Sequence, residues 1–217
     1  YNTTNQSIGS MSLLIRPADE IKLIVIDYLI RKYPEIIIGN EVMYGTAKKV
    51  VDLVALYKGQ TYAIEIKSEK DNTRRLHDQL KEYARIFDYI IVVTHPKHTA
   101  EIVSLSKAKV SILEIHNEEI VVKTPLKRNK PLKSEMIHSI KTSYLKRFLP
   151  LSKTGEIANN IRSQITRKYK VDDIHQMLYG FLKLKLEERF TLYLKERGEK
   201  NYDDLTLLSA QLNLGSV

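Results

Sequence analysis

The apolar spacing divides the chain into an α/β half followed by a helical half. Pro17-Ala18-Asp19-Glu20 opens a predicted helix whose apolar residues continue to about Ile30, and Pro34 ends it. Proline fits a first helical turn, early acids suit the positive end of the helix dipole, and a later proline cannot extend the ladder. Three strands are predicted next, at about Ile36–Met43, Val50–Tyr57 and Thr61–Lys67, the last two joined by Lys58-Gly59-Gln60. Their β-branched and aromatic content and the short glycine-containing link point to a hairpin. Over 73–87 the spacing becomes helical, with Leu76, Leu80, Tyr83, Ala84 and Phe87 on one face. Tyr89–Val93 reads as a buried strand, followed by a helix at about 98–106, a strand at 110–115 and an edge strand at 119–123. The order α-β-β-β-α-β-α-β predicts an α/β domain on a central mixed sheet flanked by helices.

Residues 124–134, with two prolines and four basic residues, are the best linker candidate. Beyond it the pattern is helical: about 135–148, then from near Lys153 with Ile157, Ile161 and Ile165 at four-residue spacing, then about 173–197 with Gly198 as a C-cap. The polar stretch 1–10 reads as a flexible lead or appended remnant before Met11. The expected organisation is therefore a domain at 11–124 and a helical region at 125–217.

Charge sharpens this division. The 217 residues carry a formal net charge of +9. Residues 1–124 hold 17 Lys or Arg against 16 Asp or Glu, whereas residues 125–217 hold 18 against 10, so the excess lies in the helical region. A one-signed basic surface favours a phosphate polymer as partner. The absence of cysteine excludes a disulfide framework, a thiolate zinc site and a cysteine nucleophile. No apolar run reaches membrane-spanning length and no signal-peptide pattern opens the chain, so a cytoplasmic protein with no membrane partner is expected.

Two carboxylates interrupt apolar strands. Asp52 lies within V-V-D-L-V and Glu65 lies between Ile64 and Ile66. A buried carboxylate needs a cation, a donor or water. Strand alternation puts Glu65 and Lys67 on one side, and the hairpin can add Asp52 to them. Two acids and a lysine so placed can hold Mg²⁺ and stabilise charge on a phosphate under hydrolysis. They can equally form the solvated face of an antiparallel sheet.

Asp52, twelve residues, then Glu65-Ile66-Lys67, between a leading and a trailing helix, resembles the PD-(D/E)XK nuclease superfamily over residues 17–115. Val51-Asp52 stands where many members have Pro-Asp. Gln79-Leu-Lys-Glu-Tyr83 is similar to the Gln-x-x-x-Tyr element of RecB-like and Cas-associated exonucleases. Asp71, Arg75, Leu76, Gln79, Tyr83, Phe87 and Asp88 also match a little-characterised bacterial and phage group of the superfamily. The resemblance implies a restriction-endonuclease-like core and Mg²⁺- or Mn²⁺-dependent hydrolysis of nucleic acid, with DNA the expected substrate. Asp52 and Glu65 would be metal ligands, Lys67 would assist the attacking water, and Gln79 and Tyr83 would face the site. In that group a Glu lies about ten residues before the Asp, and Glu41 matches it; Glu20 in the leading helix is the other candidate third ligand. The pattern departs at Lys48-Lys49, where members often have arginine.

Arg75 can hold a phosphate or pair with Asp71 or Asp78. His95 and His98 read as a surface loop, and Asp88 as a structural residue at a helix-to-strand junction. Lys127, Arg128 and Lys130, among the basic residues interleaved with tyrosines, are candidates for contacting nucleic acid. The apolar 173–197 helix suggests a homodimer as one way to cover it. The competing function class is a binding protein of a phage or defence system that keeps a nuclease fold without its chemistry.

Overall fold

The structure, a computed structural model, describes residues 16–45, 49–105, 109–150, 157–198 and 204–209. The 1–10 lead, Lys48 and the start of the helix expected from Lys153 lie outside them.

Helix α1 (Pro17–Lys32) begins with Pro17 in its first turn, and Lys22, Val25, Ile26 and Leu29 form its buried stripe. Strands β1 (Ile37–Tyr44), β2 (Lys49–Tyr57) and β3 (Gln60–Lys67) form an antiparallel meander. Helix α2 (Leu76–Tyr83) leads to β4 (Tyr89–Thr94), and α3 (Pro96–Leu105) to β5 (Val110–His116). β4 is parallel to both β3 and β5, and β6 (Glu119–Thr124) closes the sheet antiparallel. The six strands lie in chain order. The chain is thus an α/β protein with a mixed sheet flanked by helices and a helical C-terminal region.

Three local expectations are corrected. α2 is shorter than 73–87 because tight turns flank it: Leu76 N donates to Thr73 O (2.9 Å), and Ile86 N to Tyr83 O (3.0 Å). Pro96 opens α3, so His98 is a buried residue of that helix's first turn and not part of a surface loop. The helix expected over 135–148 breaks into α4 (Lys133–Ser139), α5 (Thr142–Leu145) and a 3₁₀ turn at Lys146–Phe148. The break falls at Ile140, a β-branched residue that adopts extended backbone (ψ 135°) while burying its side chain. α6 (Ala158–Lys168), α7 (Val171–Glu196) and α8 (Asp204–Leu207) follow.

Side-chain alternation assigns the two faces of the sheet. Gly39, Val54 and Ala63 are in register across β1–β3 and share a face with Asp52 and Glu65. α2 and α7 pack on this face. α7 buries Ile174, Leu178, Leu182, Leu186 and Phe190, and its partner is the sheet of its own chain, while Leu184, Leu192 and Leu194 stay exposed. Tyr62 and Ile64 point to the opposite face, where α1 lies. The 125–132 segment is tied down: Asn129 N donates to Asp88 O (2.7 Å) and Leu132 N to Arg85 O (2.8 Å).

Gly39 lets α7 approach the sheet. A Cβ there would sit 2.5 Å from Leu186 Cδ2 and 3.1 Å from Val42 Cγ2, and both side chains are buried. Gly39→Ala is expected to destabilise the protein by about 1–3 kcal/mol through overpacking. Urea unfolding of both proteins checks this; a midpoint unchanged from wild type would mean that α7 yields freely.

Candidate functional site

The acids occupy one row across three strands. One step beyond Leu53↔Ile64, Asp52 lies opposite Glu65. The β1/β2 register passes from Asn40↔Leu53 to Val42↔Val51, which leaves Glu41 opposite Asp52. The row stands at the C-terminal end of β3, which runs parallel to β4, the end at which open α/β sheets place ligands.

Glu65 is buried and fully engaged. Lys67 Nζ donates to its Oε1 (2.8 Å), Gln79 Nε2 to the same oxygen (3.0 Å), and the Tyr83 hydroxyl to Oε2 (2.7 Å). Gln79 and Tyr83 come from successive turns of α2, so their four-residue spacing aims both at one carboxylate. Burial, with the charge of Glu65 next, pushes the Tyr83 phenol up, which keeps it a donor. Gln79 Oε1 is buried without a hydrogen-bond partner among the described residues.

Asp52 Oδ2 accepts from Ile66 N (2.8 Å). Burial, followed by the negative charge of Glu65, pushes the Asp52 carboxyl up to about 6, against the opposing pull of Ile66 N, Lys22 and Lys67. Its ionised form is therefore short of positive charge. Hard oxygen donors with that deficit, beside an unsatisfied amide oxygen, suit a divalent cation of the Mg²⁺ type.

Glu41 turns the other way. Its φ of 51° is in the left-handed region, which costs a non-glycine residue on the order of 1 kcal/mol, and it lies within a strand rather than a turn. Its carboxylate meets Lys22 Nζ at 3.5 Å and Arg16 Nη2 at 3.7 Å. Among the described residues, no three Asp, Glu or His side chains form a ready metal-binding group. Glu20 is exposed in the first turn of α1.

Lys22 was not among the candidates from the sequence. Its side chain is only 4% exposed, yet it ends between Glu41 and Asp19, the latter at 3.8 Å. The signal was a lysine three and four residues before Val25 and Ile26, inside the apolar stripe of α1. The remaining candidates do not join the row. Arg75 is exposed at the start of α2, and Asp71 is taken by Ser68, whose backbone N (2.7 Å) and hydroxyl (2.6 Å) both donate to its Oδ2. Lys49 pairs with Glu82. Lys127 and Lys130 are exposed on the 125–132 segment, and Arg128 is bound to buried Asp88 at 3.1 Å. Asp88 holds Thr61, four residues before Glu65 on β3, so this basic segment is roughly 13 Å along the strand from the acids.

Among the described residues, no helix is long and apolar enough to cross a membrane. Two solved structures are similar in part. A protein of unknown function from Silicibacter pomeroyi, SPO1766, is 17% identical, with 72% of this chain and 94% of that one covered and a TM-score of 0.45. Pyrococcus furiosus SfsA in complex with Ca²⁺ is 17% identical, with 49% and 61% covered and a TM-score of 0.29. Protein cII of Enterobacteria phage P4 is 30% identical over 115 residues, which are 52% of this chain and 43% of that protein. The chain thus matches less than half the length of this curated relative. The family model of bacteriophage P4 protein cII matches residues 14–209, nearly the whole chain, and the chain therefore belongs to the bacteriophage P4 protein cII family.

Proposed function

We propose that this protein is a metal-dependent nuclease of the PD-(D/E)XK type that hydrolyses phosphodiester bonds in DNA. The observation that carries the reading is Asp52 set opposite Glu65 on adjacent strands, with Glu65 clasped by Lys67, Gln79 and Tyr83. Asp52 and Glu65 would hold Mg²⁺ or Mn²⁺. The bound cation supplies Lewis acidity and a water acidic enough to attack at neutral pH. Tyr83 and Gln79 fix the orientation of Glu65. Lys67 neutralises Glu65 in the free protein and is the cation best placed to meet charge developing on a phosphate. Gln79 Oε1 has capacity to accept a proton-bearing group, which orients a water.

The test is incubation of the purified protein with linear duplex, circular duplex and single-stranded DNA, in Mg²⁺, Mn²⁺ or EDTA. Cleavage of at least one substrate with metal, and none in EDTA, is the expected result. If no substrate is cut with either metal, the reading is wrong. The binding-protein reading is favoured by one observation, the engagement of Glu41 by Lys22 and Arg16 in place of a three-acid group.

Glu41 separates the two readings. Its strained backbone and its place in the row support a supporting ligand that leaves Lys22 when metal enters. Glu41→Gln is then expected to lower turnover by tenfold or more, on the order of a lost supporting ligand, with Glu20→Gln near wild type. Steady-state rates at saturating Mn²⁺ decide; the reverse order moves the third acid to α1.

A further inference from the structure

On the face of the sheet opposite the acid row there is a cavity of about 510 Å³. It lies beside the C-terminal half of α1 and runs across β2–β6. Five tyrosines line it, Tyr28, Tyr33, Tyr57, Tyr62 and Tyr89, above apolar residues such as Ile64 and Leu113. Among the described residues, Lys32 is the only charged side chain in the lining.

The rings are arranged as platforms. Tyr62 and Tyr89 stack at 4.8 Å with 15° between planes, and Tyr33 and Tyr57 meet at 5.2 Å and 56°. Cations lie beside them: Lys32 Nζ donates to the Tyr28 hydroxyl (2.6 Å) and is 5.6 Å from the Tyr33 centroid, and Lys58 Nζ is 5.3 Å from that of Tyr57. Exposed Lys127 follows Leu126, which also lines the cavity.

We propose that this cavity binds an unpaired nucleotide of single-stranded nucleic acid. The volume is within the range of small-molecule sites. Tyrosine faces stack on any base, and ammonium groups at the rim hold the phosphates, the combination by which single strands are bound without sequence readout. A lining with a cation and no acid among the described residues favours an anionic ligand. This also gives a role to the basic 125–132 segment, which lies too far from the acids to serve them. α1 connects the two places: Lys22 stands at the acid row and Lys32 at the cavity, ten residues or about 15 Å along the helix.

Binding here does not depend on the cleavage reading, and the experiment keeps the two apart. Fluorescence anisotropy of labelled oligonucleotides is measured in EDTA with the full-length Asp52→Asn protein, so that nothing is cut. The probes are a single strand, the same strand annealed to its complement, and an abasic backbone of equal length. The single strand is expected to bind about 5- to 150-fold more tightly than the abasic backbone for one stacked base, and more tightly than the duplex. Tyr33→Ala and Lys32→Glu should each weaken single-strand binding and leave abasic binding nearly unchanged for the first. Lys32 is exposed, so Lys32→Glu keeps the fold, and thermal melting of both variants verifies it. Equal affinity for single strand and abasic backbone overturns the proposal, as does a Lys32→Glu protein that binds like its parent. Loss of cleavage in the nuclease assay leaves either result standing.

Discussion

Asp52→Asn and Glu65→Gln are each expected to reduce metal-dependent DNA cleavage by a thousandfold or more, on the scale of removing a ligand of a catalytic metal. The proteins should stay folded, because both substitutions are nearly isosteric and Gln can keep hydrogen bonds to Gln79 and Tyr83. Lys67→Met should lower kcat more than it raises KM, since its cation matters most when charge builds on the phosphate. Asp52→Asn should also melt at a higher temperature than wild type in EDTA. The sign follows from its carboxyl, raised to about 6 by burial and by Glu65. An unfolded Asp titrates near about 3.9, so the metal-free native state binds the extra proton between these values. Its stability therefore falls as pH rises from about 4 to about 6, by on the order of 2–3 kcal/mol. Asp52→Asn lacks this loss. Cleavage at the wild-type rate in either acid variant would place the chemistry elsewhere.

Asp88→Ala is expected to cost about 3–5 kcal/mol, the range for removing one partner of a buried ion pair. The Asp88 side chain is fully buried and accepts from Thr61 N (2.9 Å) and Oγ1 (3.0 Å), His175 Nε2 (2.6 Å) and Arg128 Nη2 (3.1 Å). Burial alone would raise its carboxyl, but His175, Thr61 N and Arg128 together hold it below the ordinary value. A depressed folded pKa contributes stability that is present above the unfolded value and is lost as pH falls through the folded one. Wild type should thus lose stability below about pH 4, and Asp88→Ala should show a shallower acid dependence there. Urea titrations at neutral pH and in this acid range measure both effects. A cost under about 1 kcal/mol would mean that the group behaves like a surface pair.

Strands β1 to β5 were legible because each has apolar residues dense enough to be largely buried, and the hairpin carries its turn at Lys58-Gly59. Gln79 and Tyr83 were legible because helical spacing and the preceding Glu-Ile-Lys point the same way. Other features arise from distant partners and leave little local trace. Asp88 meets Arg128 and His175 across 40 and 87 residues, so its environment is invisible from either neighbourhood. The left-handed backbone at Glu41 has no mark at that residue itself, since the turn-type residues Gly39-Asn40 precede it and glutamate rarely adopts positive φ. The break at Ile140 interrupts a continuous helical pattern for the sake of burying one side chain. Lys22 could have been flagged by its position, but lysine normally marks the solvent side of a helix.

Within the ladders every strand pairs only with its neighbours in chain order, whereas the C-terminal helices return to β1, where Asn40 N donates to Leu208 O (2.9 Å), Asn40 forms an isolated parallel bridge with Ser209, and its Nδ2 donates to Leu205 O across 165 residues. Undocking that arm breaks only the Asn40–Ser209 bridge, leaves the six-stranded ladder whole and bares the Gly39 seat that receives Leu186. The same seat exists on every copy of the chain. An arm released from its own sheet therefore fits a second molecule through the same contacts, opposed by the translational and rotational entropy lost when two molecules associate. Refolding at high protein concentration is the condition in which such an exchanged dimer would accumulate.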